Sequence, residues 1–282
     1  MFAGAHAVVT GGSSGIGLAC AQALAARGAH VALLARNPEK LEAARVIVDA
    51  ARIDASQRVL IESVDLADSA SATMAFDALA AGGFAPDILV NSAGAILPGE
   101  FVVMPYEHLE TNMAAYWSVV NACRVVAPGM VARGRGHIVN VSSVAGFLGI
   151  YGYTGYAAAK YAVLGFSEAL RFELRPHGVN VSVVLPPDTD TPGLEAEKTM
   201  RPPETELISG NIKAIPPERV AAAVLRGIER NRFHIIPDVT SRFYFRLKGV
   251  LPEVFFWVVD SDVRKARRAA VRPEGTEGEG GA

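Results

Sequence analysis

Cysteine is almost absent from this sequence, and its two residues, Cys20 and Cys123, lack the close spacing of a metal site or a redox pair. Both lie in helical patterns, so we expect small buried side chains in a reducing compartment and no metal site. Long apolar runs are also missing, since none reaches the roughly 20 residues of a membrane-spanning helix. A strand pattern already begins at residue 6, so we further expect no signal peptide and a cytoplasmic location.

A strong excess of either charge is missing as well. The sequence has 27 basic and 29 acidic side chains, a formal net charge of −2, which gives no electrostatic reason to bind nucleic acid. Half of its 282 residues are apolar, which is enough to bury the core of one α/β domain. No internal repeat and no linker divides residues 1–237.

What is present is an alternation of short β-branched runs with longer helical patterns, typical of a parallel sheet with helical crossovers. It predicts one doubly wound α/β domain of the Rossmann type, with seven parallel strands in the order 3-2-1-4-5-6-7. The predicted strands are 6–10, 30–35, 58–64, 87–91, 136–142, 179–185 and 233–236. The predicted helices are 16–27, 39–51, 68–81, 107–132, 155–175 and 217–230.

Three later segments depart from that alternation. Residues 187–215 are rich in Pro, Glu and Thr, and we expect them to form a mobile lid over the site. Residues 238–270 are apolar and basic. Residues 271–282 are rich in Gly and Glu and cannot support a core, so we expect this tail to be disordered.

The first strand leads directly into TGGSSGIG at residues 10–17, which is followed by an Ala-rich helix. Gly11 permits the tight turn, Gly15 lets the backbone approach a pyrophosphate, and Gly17 allows close packing of helix on strand. The amino end of the helix then offers free N–H groups to phosphate. Glycine in such a turn can serve sterics alone, but this position in a βαβ unit favours dinucleotide binding. The residues expected at the cofactor are Thr10, Gly11, Ser13, Ser14, Gly15, Ile16 and Gly17.

The second strand lacks the acidic residue with which NAD-specific folds bind the ribose 2′-hydroxyl. Its end reads HVALLAR, so Arg36 takes that place, and Lys40 lies about one helical turn further on. A guanidinium fork matches a 2′-phosphate, although an arginine at a strand end is often only solvated. We therefore predict NADPH/NADP+ as the cofactor.

Residues 156–160 read YAAAK, which places Tyr156 and Lys160 on one face at the start of a helix. An ammonium near a phenol stabilises the phenolate, so we expect Lys160 to lower the pKa of Tyr156 from its usual value of about 10. Tyr156 then serves as general acid when a ketone is reduced and as base in the reverse reaction. Ser143, in the VSS at the end of the fifth strand, can hold the substrate oxygen. A Tyr-x-x-x-Lys pair alone is more often an ordinary surface pair, so the combination of motifs carries the prediction.

TGGSSGIG, NSAG at 91–94, VSS and YAAAK stand in the order found in short-chain dehydrogenases/reductases, and residues 5–237 resemble that family. The resemblance implies a single-domain oxidoreductase, usually a homo-oligomer, in which Lys160 also binds the nicotinamide ribose. It further implies contacts with the adenine, its ribose, the carboxamide and the pyrophosphate, made by Asp65, Leu66, Asn91, Ala93, Gly94, Pro186, Thr189 and Thr191.

The family also uses an asparagine in the helix after NSAG, which carries a water for proton relay. Asn112 is the candidate, but it lies about one helical turn earlier than the family's spacing, and Ala115 takes the position that a simple count gives. Either an insertion within the helix compensates, so that Asn112 completes the catalytic set, or Asn112 is an ordinary helix residue.

Within the family, the sequence closely resembles the 3-ketodihydrosphingosine reductases. The similar stretches are ARNPEKL (35–41), GYTGYAAAK (152–160), LPPDTDTPG (185–193) and RPPETELISG (201–210). The resemblance implies NADPH-dependent reduction of a long-chain 2-amino-3-keto-1-alcohol. For such a substrate the lid would have to meet a long alkyl chain and an ammonium group, for which its acidic residues are candidates, although acidic loop residues are usually only solvated. The acidic candidates are Asp188, Asp190, Glu195 and Glu197. Two alternatives stay open: a reductase of another lipophilic carbonyl, such as a steroid or a 3-oxoacyl chain, and a non-catalytic NADP-binding sensor or scaffold.

Residues 243–259, FYFRLKGVLPEVFFWVV, mix aromatic and basic side chains and are too short and too charged to span a membrane. Such a mixture suits a membrane interface. Four basic residues follow that can bind anionic head groups: Arg264, Lys265, Arg267 and Arg268. Peripheral membrane contact through 243–268 is therefore one interpretation, and a subunit contact or a wall of the substrate tunnel are the others.

Overall fold

The computed structural model describes residues 1–209 and 213–270. Its centre is a seven-stranded parallel sheet in the order β3-β2-β1-β4-β5-β6-β7, which confirms the predicted fold. Each strand ends within one residue of its predicted bounds. The strands are β1 (His6–Thr10), β2 (His30–Ala35), β3 (Val59–Ser63), β4 (Ile88–Asn91), β5 (Gly136–Val141), β6 (Val179–Val184) and β7 (His234–Ile235).

Helices cover both faces of this sheet. The six predicted helices are present within two residues of their expected bounds, as α1 (Gly15–Ala25), α2 (Pro38–Ala50), α3 (Ser69–Ala81), α4 (Tyr106–Arg133), α5 (Thr154–Leu174) and α8 (Pro217–Glu229). Four further helices are α6 (Pro192–Lys198), α7 (Pro203–Ser209), α9 (Val239–Val250) and α10 (Pro252–Ala270). The sequence patterns did not predict these four.

Successive side chains of each strand point to opposite faces, and each face has its own helical layer. Ala7 and Val9 of β1 belong to a buried cluster with α1, α2 and α8. Val8, between them, belongs to the cluster with α3, α4 and α5. Because both faces are covered, the strands are mostly apolar, and the two layers hold the carboxyl edge of the sheet in place.

Cys20 and Cys123 are both buried, as predicted. Burial raises the pKa of each thiol to about 12, so both stay protonated at neutral pH. A protonated, buried thiol is a poor nucleophile and a poor metal ligand. Both residues therefore act as small apolar side chains.

The predicted lid at 187–215 contains α6 and α7. The start of α6 follows a known capping pattern, because Thr191 Oγ1 accepts a hydrogen bond from the Leu194 N–H at 3.2 Å and Pro192 takes the first helical position. Residues 210–212 of the lid lie outside the described residues. The predicted mobility of the lid stays a prediction.

The C-terminal segment 238–270 forms α9 and α10. Asp238 caps α9 by accepting a hydrogen bond from the Ser241 N–H at 2.8 Å, and α10 packs against α9 and against the lid helix α7. Among residues 1–209 and 213–270, no helix has both the length and the apolar character needed to cross a membrane. The expected disorder of 271–282 concerns a stretch that lies outside the described residues.

Candidate active site

The carboxyl ends of β1, β4, β5 and β6 meet at one edge of the sheet, where the predicted site residues lie. Thr10 ends β1 and Asn91 ends β4, while Ser143 and Pro186 each follow their strand by two residues. The strand order reverses between β1 and β4, and a cleft at such a point is the usual ligand site of a doubly wound sheet. The topology therefore brings the separate motifs to one place.

The turn between β1 and α1 needs glycine for space as well as for backbone angles. Gly11 and Gly15 have φ angles of +65° and +53°. A Cβ on Gly11 would lie 2.7 Å from the backbone of Ser92 and Ala93, and a Cβ on Gly17 would lie 2.2 Å from the Gly11 carbonyl oxygen. The tight turn and the close helix packing predicted for Gly11 and Gly17 are both present.

The amino end of α1 fits an anion. Ser14 is the residue before the helix, yet its side chain makes no capping hydrogen bond, and the first turn holds no acidic side chain. Ser13, Gly15 and Ile16 are partly exposed on the same turn. Uncapped N–H groups beside a glycine backbone are the usual cradle of a pyrophosphate. These residues therefore fit the dinucleotide that the sequence predicts.

A buried polar ladder supports the NSAG turn from inside the sheet. Thr10 Oγ1 accepts hydrogen bonds from the backbone N–H groups of Ser92 at 3.2 Å and Ala93 at 3.4 Å. The Asn91 amide donates to Asn140 Oδ1 at 2.9 Å, and both side chains are buried. Thr10 thus holds the backbone of the NSAG turn, and Asn91 joins the end of β4 to β5. The sequence reading did not identify Asn140, because its partner lies on a neighbouring strand.

Arg36 and Lys40 are exposed at the end of β2 and the start of α2. In the described residues, neither side chain pairs with an acid. Asp65 is exposed after β3, where its carboxylate accepts a hydrogen bond from a backbone N–H two residues on at 3.0 Å, and Leu66 is buried. Two unpaired cations beside the adenosine end of the cleft fit a 2′-phosphate.

The start of α5 presents Tyr156 and Lys160 to the cleft. Both residues are buried, and Lys160 Nζ lies 5.6 Å from the centre of the Tyr156 ring. The same nitrogen donates to the carbonyl oxygen of Val141 at 3.1 Å. Ser143 forms a hydrogen bond with the Tyr156 phenol, and Ser143 Oγ accepts a second one from the Ala145 N–H at 3.1 Å. The structure thus brings the three predicted groups together.

The pKa of Tyr156 moves in the direction opposite to the expected one. Burial raises the pKa of the phenol well above its usual value, the hydrogen bond from Ser143 lowers it, and the charges of Glu197 and Asp188 raise it. Burial also lowers the pKa of Lys160 to about 8. The prediction of a lowered Tyr156 pKa is therefore wrong here, because desolvation disfavours both charged forms. A phenol that is protonated at neutral pH is the form that gives a proton to a ketone.

Asn112 is fully buried and binds the backbone of a loop. Its amide accepts a hydrogen bond from the Leu97 N–H at 3.1 Å and donates to the Leu97 carbonyl at 2.9 Å. Its nitrogen would lie 3.2 Å from a Cβ on Gly155, which precedes Tyr156. Asn112 is therefore a buried residue of α4 that holds the loop after NSAG by hydrogen bonds and lies close to the start of α5. Its place in a proton relay stays a prediction.

The chain after β6 lies directly on the site. The carbonyl of Pro186 accepts a hydrogen bond from the Val144 N–H at 2.9 Å, and Thr189 Oγ1 donates to the carbonyl two residues earlier at 2.9 Å. The methyl group of Thr191 lies 2.9 Å from the position of a Cβ on Gly15. The beginning of the lid helix α6 therefore touches the glycine turn.

Three residues of the lid form a buried ionic network. Arg201 binds Glu197 through Nε and Nη2, at 2.6 and 3.1 Å, and binds Asp188 through Nη2 at 3.1 Å. The Tyr153 hydroxyl donates to Glu197, and its ring centre lies 5.9 Å from that of Tyr156. The network thus connects the lid with the start of α5. Sequence reasoning listed Asp188 and Glu197 as acids of the lid but did not identify Arg201 as their shared partner.

A family model described as short chain dehydrogenase matches residues 5–202. The chain belongs to the short-chain dehydrogenase family. It is an oxidoreductase that acts on CH–OH and C=O groups. Members of the short-chain dehydrogenase family use NAD or NADP, which agrees with the open amino end of α1.

Three known proteins show the range of the similarity. A 3-dehydrosphinganine reductase from Danio rerio is 40% identical over 232 residues, which cover 82% of this chain and 70% of the relative. A short-chain dehydrogenase from Sphingobium yanoikuyae, solved in complex with NADPH, has a TM-score of 0.72 and 26% identity, and the match covers 97% of this chain and 98% of that one. One from Burkholderia phymatum, in complex with NAD, has a TM-score of 0.78 and 26% identity, over 90% and 95% of the two chains. Because both cofactors occur in this fold, the fold does not choose between them.

Proposed function

We propose that the chain uses NADPH to reduce the ketone of 3-ketodihydrosphingosine, a long-chain 2-amino ketone also called 3-dehydrosphinganine. The observation that carries the proposal is the 40% identity, over 82% of the chain, with the Danio rerio 3-dehydrosphinganine reductase. The arrangement of Ser143, Tyr156 and Lys160 supports the reaction type, since it supplies a donor to a ketone oxygen and a proton.

In the proposed reaction, the ketone oxygen binds at the hydroxyl groups of Ser143 and Tyr156. The Ser143 hydroxyl donates to this oxygen as negative charge develops on it. Tyr156 is protonated at neutral pH because burial raises its pKa, and it gives its proton to the same oxygen. A bound nicotinamide would supply the hydride for the ketone carbon. Lys160 would hold the nicotinamide ribose, and its buried ammonium would stabilise the phenolate that remains.

The choice of NADPH over NADH rests on Arg36 and Lys40. Both are exposed and unpaired among the described residues, and β2 carries no acid that would accept from a 2′-hydroxyl. A guanidinium binds a phosphate through two parallel hydrogen bonds, and an ammonium adds a second positive charge. These two side chains therefore favour a cofactor with a 2′-phosphate.

Turnover with a panel of ketones tests the function. The loss of NADPH absorbance is measured with 3-ketodihydrosphingosine, a steroid ketone and a 3-oxoacyl thioester at equal concentrations. We expect kcat/KM to be at least about tenfold higher for 3-ketodihydrosphingosine than for the other two, a difference of roughly 1.4 kcal/mol in transition-state binding. A higher kcat/KM for the steroid or the thioester would identify another lipophilic carbonyl as the substrate and refute the proposal.

We also propose that α9 and α10 rest on an anionic membrane surface, from which a lipid substrate would be taken. Residues 239–270 carry seven basic and three acidic side chains, a net charge of +4, in a chain whose net charge is −2. Phe243, Phe256 and Trp257 are exposed beside these charges, at 60%, 47% and 68%. Aromatic and basic side chains together favour the interface of anionic lipids. Phe255, in contrast, is buried and faces α9.

A further inference from the structure

The structure separates the four acidic residues of the lid by what they contact. Glu195 is 62% exposed and pairs with Lys198 on the outside of α6. Asp190 is exposed. Glu197 is buried, and both of its oxygens are occupied by Arg201, with Tyr153 as an additional donor. Glu195 and Asp190 are therefore exposed to solvent, and Glu197 has no free carboxylate oxygen.

Asp188 differs from the other three acids. Its side chain is 33% exposed, and only one of its oxygens, Oδ2, binds Arg201. Its other oxygen, Oδ1, has no hydrogen-bond donor in the stretches 1–209 and 213–270. Asp188 is therefore partly held by the network and partly available to a ligand.

The network around Asp188 carries an excess of negative charge. Arg201 and Glu197 are almost completely buried, with side chains 3% and 2% exposed, so they balance each other away from solvent. The charge of Asp188 is only partly balanced, since one guanidinium serves both carboxylates, and Lys198, which also interacts with Asp188, is exposed and pairs with Glu195. Glu206 also approaches Arg201, at 3.5 Å, but it is 57% exposed and therefore largely screened. A cation bound at Asp188 would balance the remaining charge.

Asp188 also lies close to the reacting groups. It follows Pro186, whose carbonyl binds the backbone next to Ser143. The ionic network links it to Tyr156, since Arg201 binds both Asp188 and Glu197, and Glu197 accepts a hydrogen bond from the Tyr153 hydroxyl. The Tyr153 ring centre lies 5.9 Å from that of Tyr156, and the charge of Asp188 also raises the pKa of the Tyr156 phenol. In a 2-amino ketone, the carbon that bears the ammonium group is bonded directly to the ketone carbon. A ketone bound at Tyr156 therefore brings its ammonium group into the vicinity of Asp188.

We infer that Asp188 binds the ammonium group of the substrate through Oδ1, while Oδ2 stays on Arg201, and that it thereby selects 2-amino ketones among lipophilic ketones. This inference rests on the proposed function. Asp188 is a specificity residue in this scheme, because it contacts the substrate away from the bond that reacts. Arg201 and Glu197 are positioning residues, because they hold Asp188 in place.

The test compares 3-ketodihydrosphingosine with the same long-chain hydroxy ketone in which hydrogen replaces the amino group. Wild type should prefer the amino ketone in kcat/KM by at least about tenfold. Asp188→Asn, which keeps the size of the side chain and an acceptor for Arg201, should remove most of this preference through a higher KM for the amino ketone. Its kcat/KM for the deamino ketone should change by less than about twofold. Glu195→Gln removes the same charge from the exposed side of the lid and should change neither value.

The outcomes separate this inference from the proposed function. An equal loss on both ketones in Asp188→Asn would give Asp188 a purely structural role and overturn the inference, while the proposed function would stand. An unchanged preference for the amino ketone in that variant would place the ammonium group elsewhere. It would also overturn the inference and leave the proposed function standing. Wild type that reduces the deamino ketone but not the amino ketone would refute the proposed function itself. If Asp188→Asn does not fold, the wild-type protein still tests the inference. Equal kcat/KM values of wild type for the amino ketone and the deamino ketone would contradict it.

Discussion

The glycine turn and the lid border the same cleft, but different interactions hold them. The turn is fixed by backbone packing, with Gly11 against the NSAG backbone, and by neutral hydrogen bonds: Thr10 accepts one from the Ser92 N–H, and Asn91 donates one to Asn140. The lid is fixed by ions, because Arg201 lies buried between Glu197 and Asp188. The cofactor side of the cleft therefore depends on shape, and the substrate side depends on charge.

This difference indicates how each side responds to substitution. The backbone packing of the glycine turn does not depend on which substrate is bound. The same turn can therefore occur in enzymes that act on different substrates. A buried ion pair is costly to desolvate, and the loss of one partner leaves an uncompensated charge. Changes at exposed residues of the cofactor side, such as Arg36, should therefore alter the choice of dinucleotide, whereas changes in the ionic network should alter specificity among ketones.

The largest effect that we expect separates chemistry from cofactor binding. Tyr156→Phe removes the proposed proton donor, so turnover should fall at least about a hundredfold, while NADPH affinity stays nearly unchanged. Stopped-flow turnover and a fluorescence titration with NADPH measure the two quantities. Tyr106→Phe, at an exposed position of α4, is the matched control. Lys160→Ala should lower both turnover and NADPH affinity, because Lys160 is assigned to the Tyr156 phenol and to the nicotinamide ribose. Near-normal turnover in Tyr156→Phe would remove Tyr156 from the mechanism.

A smaller effect should appear on the cofactor side alone. Arg36→Asp places a carboxylate near the 2′-position, where it repels a phosphate and can accept from a hydroxyl. The ratio of kcat/KM for NADPH to that for NADH should fall by at least about tenfold, with the preference among ketones unchanged. Arg124→Asp makes the same charge change at an exposed position of α4 and should leave the ratio as it is. Wild type that uses NADH as well as NADPH would contradict the assignment of Arg36.

The smallest effect concerns the exposed aromatic side chains of α10, whose replacement should leave the cleft unaltered. The protein should sediment with anionic vesicles, and high salt should weaken binding only in part, because salt screens Arg264, Lys265, Arg267 and Arg268 but not the burial of aromatic side chains. Changing Phe256 and Trp257 together to Ser should release the protein without loss of turnover on a short, soluble ketone. Phe172→Ser, at a similarly exposed position of α5, should not release it.

Two other results for the double variant would contradict the membrane proposal. Intact vesicle binding, together with a shift from oligomer to monomer in light scattering, would make this face a contact with a second copy of the chain. Lost turnover on the short ketone, with the oligomer preserved, would make it a wall of the substrate tunnel.

The sequence predicted those parts of the site that depend on local chemistry. The roles of Gly11 and Gly17 were predictable because the turn after β1 leaves no room for a Cβ. The pairing of Tyr156 with Lys160 was predictable because helical spacing puts them on one face. The strand order followed from the alternation of strands and helices together with the handedness of crossovers.

The remaining features depend on burial and on which side chains meet in the folded chain, and the motifs specify neither. Arg201 gains its role only because Glu197 lies one turn earlier on the lid and Asp188 lies beside it after β6. The raised pKa of Tyr156 follows from burial, which a motif does not report. Asn112 binds Leu97 across the cleft edge, and its spacing along the chain gave no sign of this contact. The helix α6, in contrast, could have been predicted from Thr191 and Pro192.

The C-terminal helix α9 matters for anyone who wants to shorten this protein. Lys248 Nζ donates to the carbonyl of Phe147 at 2.6 Å and to the hydroxyl of Tyr161 at 2.5 Å. The first partner lies in the loop that begins at Ser143, and the second adjoins Lys160 in the chain. The alternation of strands and helices ends at residue 237. A truncation there would remove Lys248 and with it these hydrogen bonds to the loop after Ser143 and to the neighbour of Lys160. The minimal functional unit therefore extends past the last strand of the sheet.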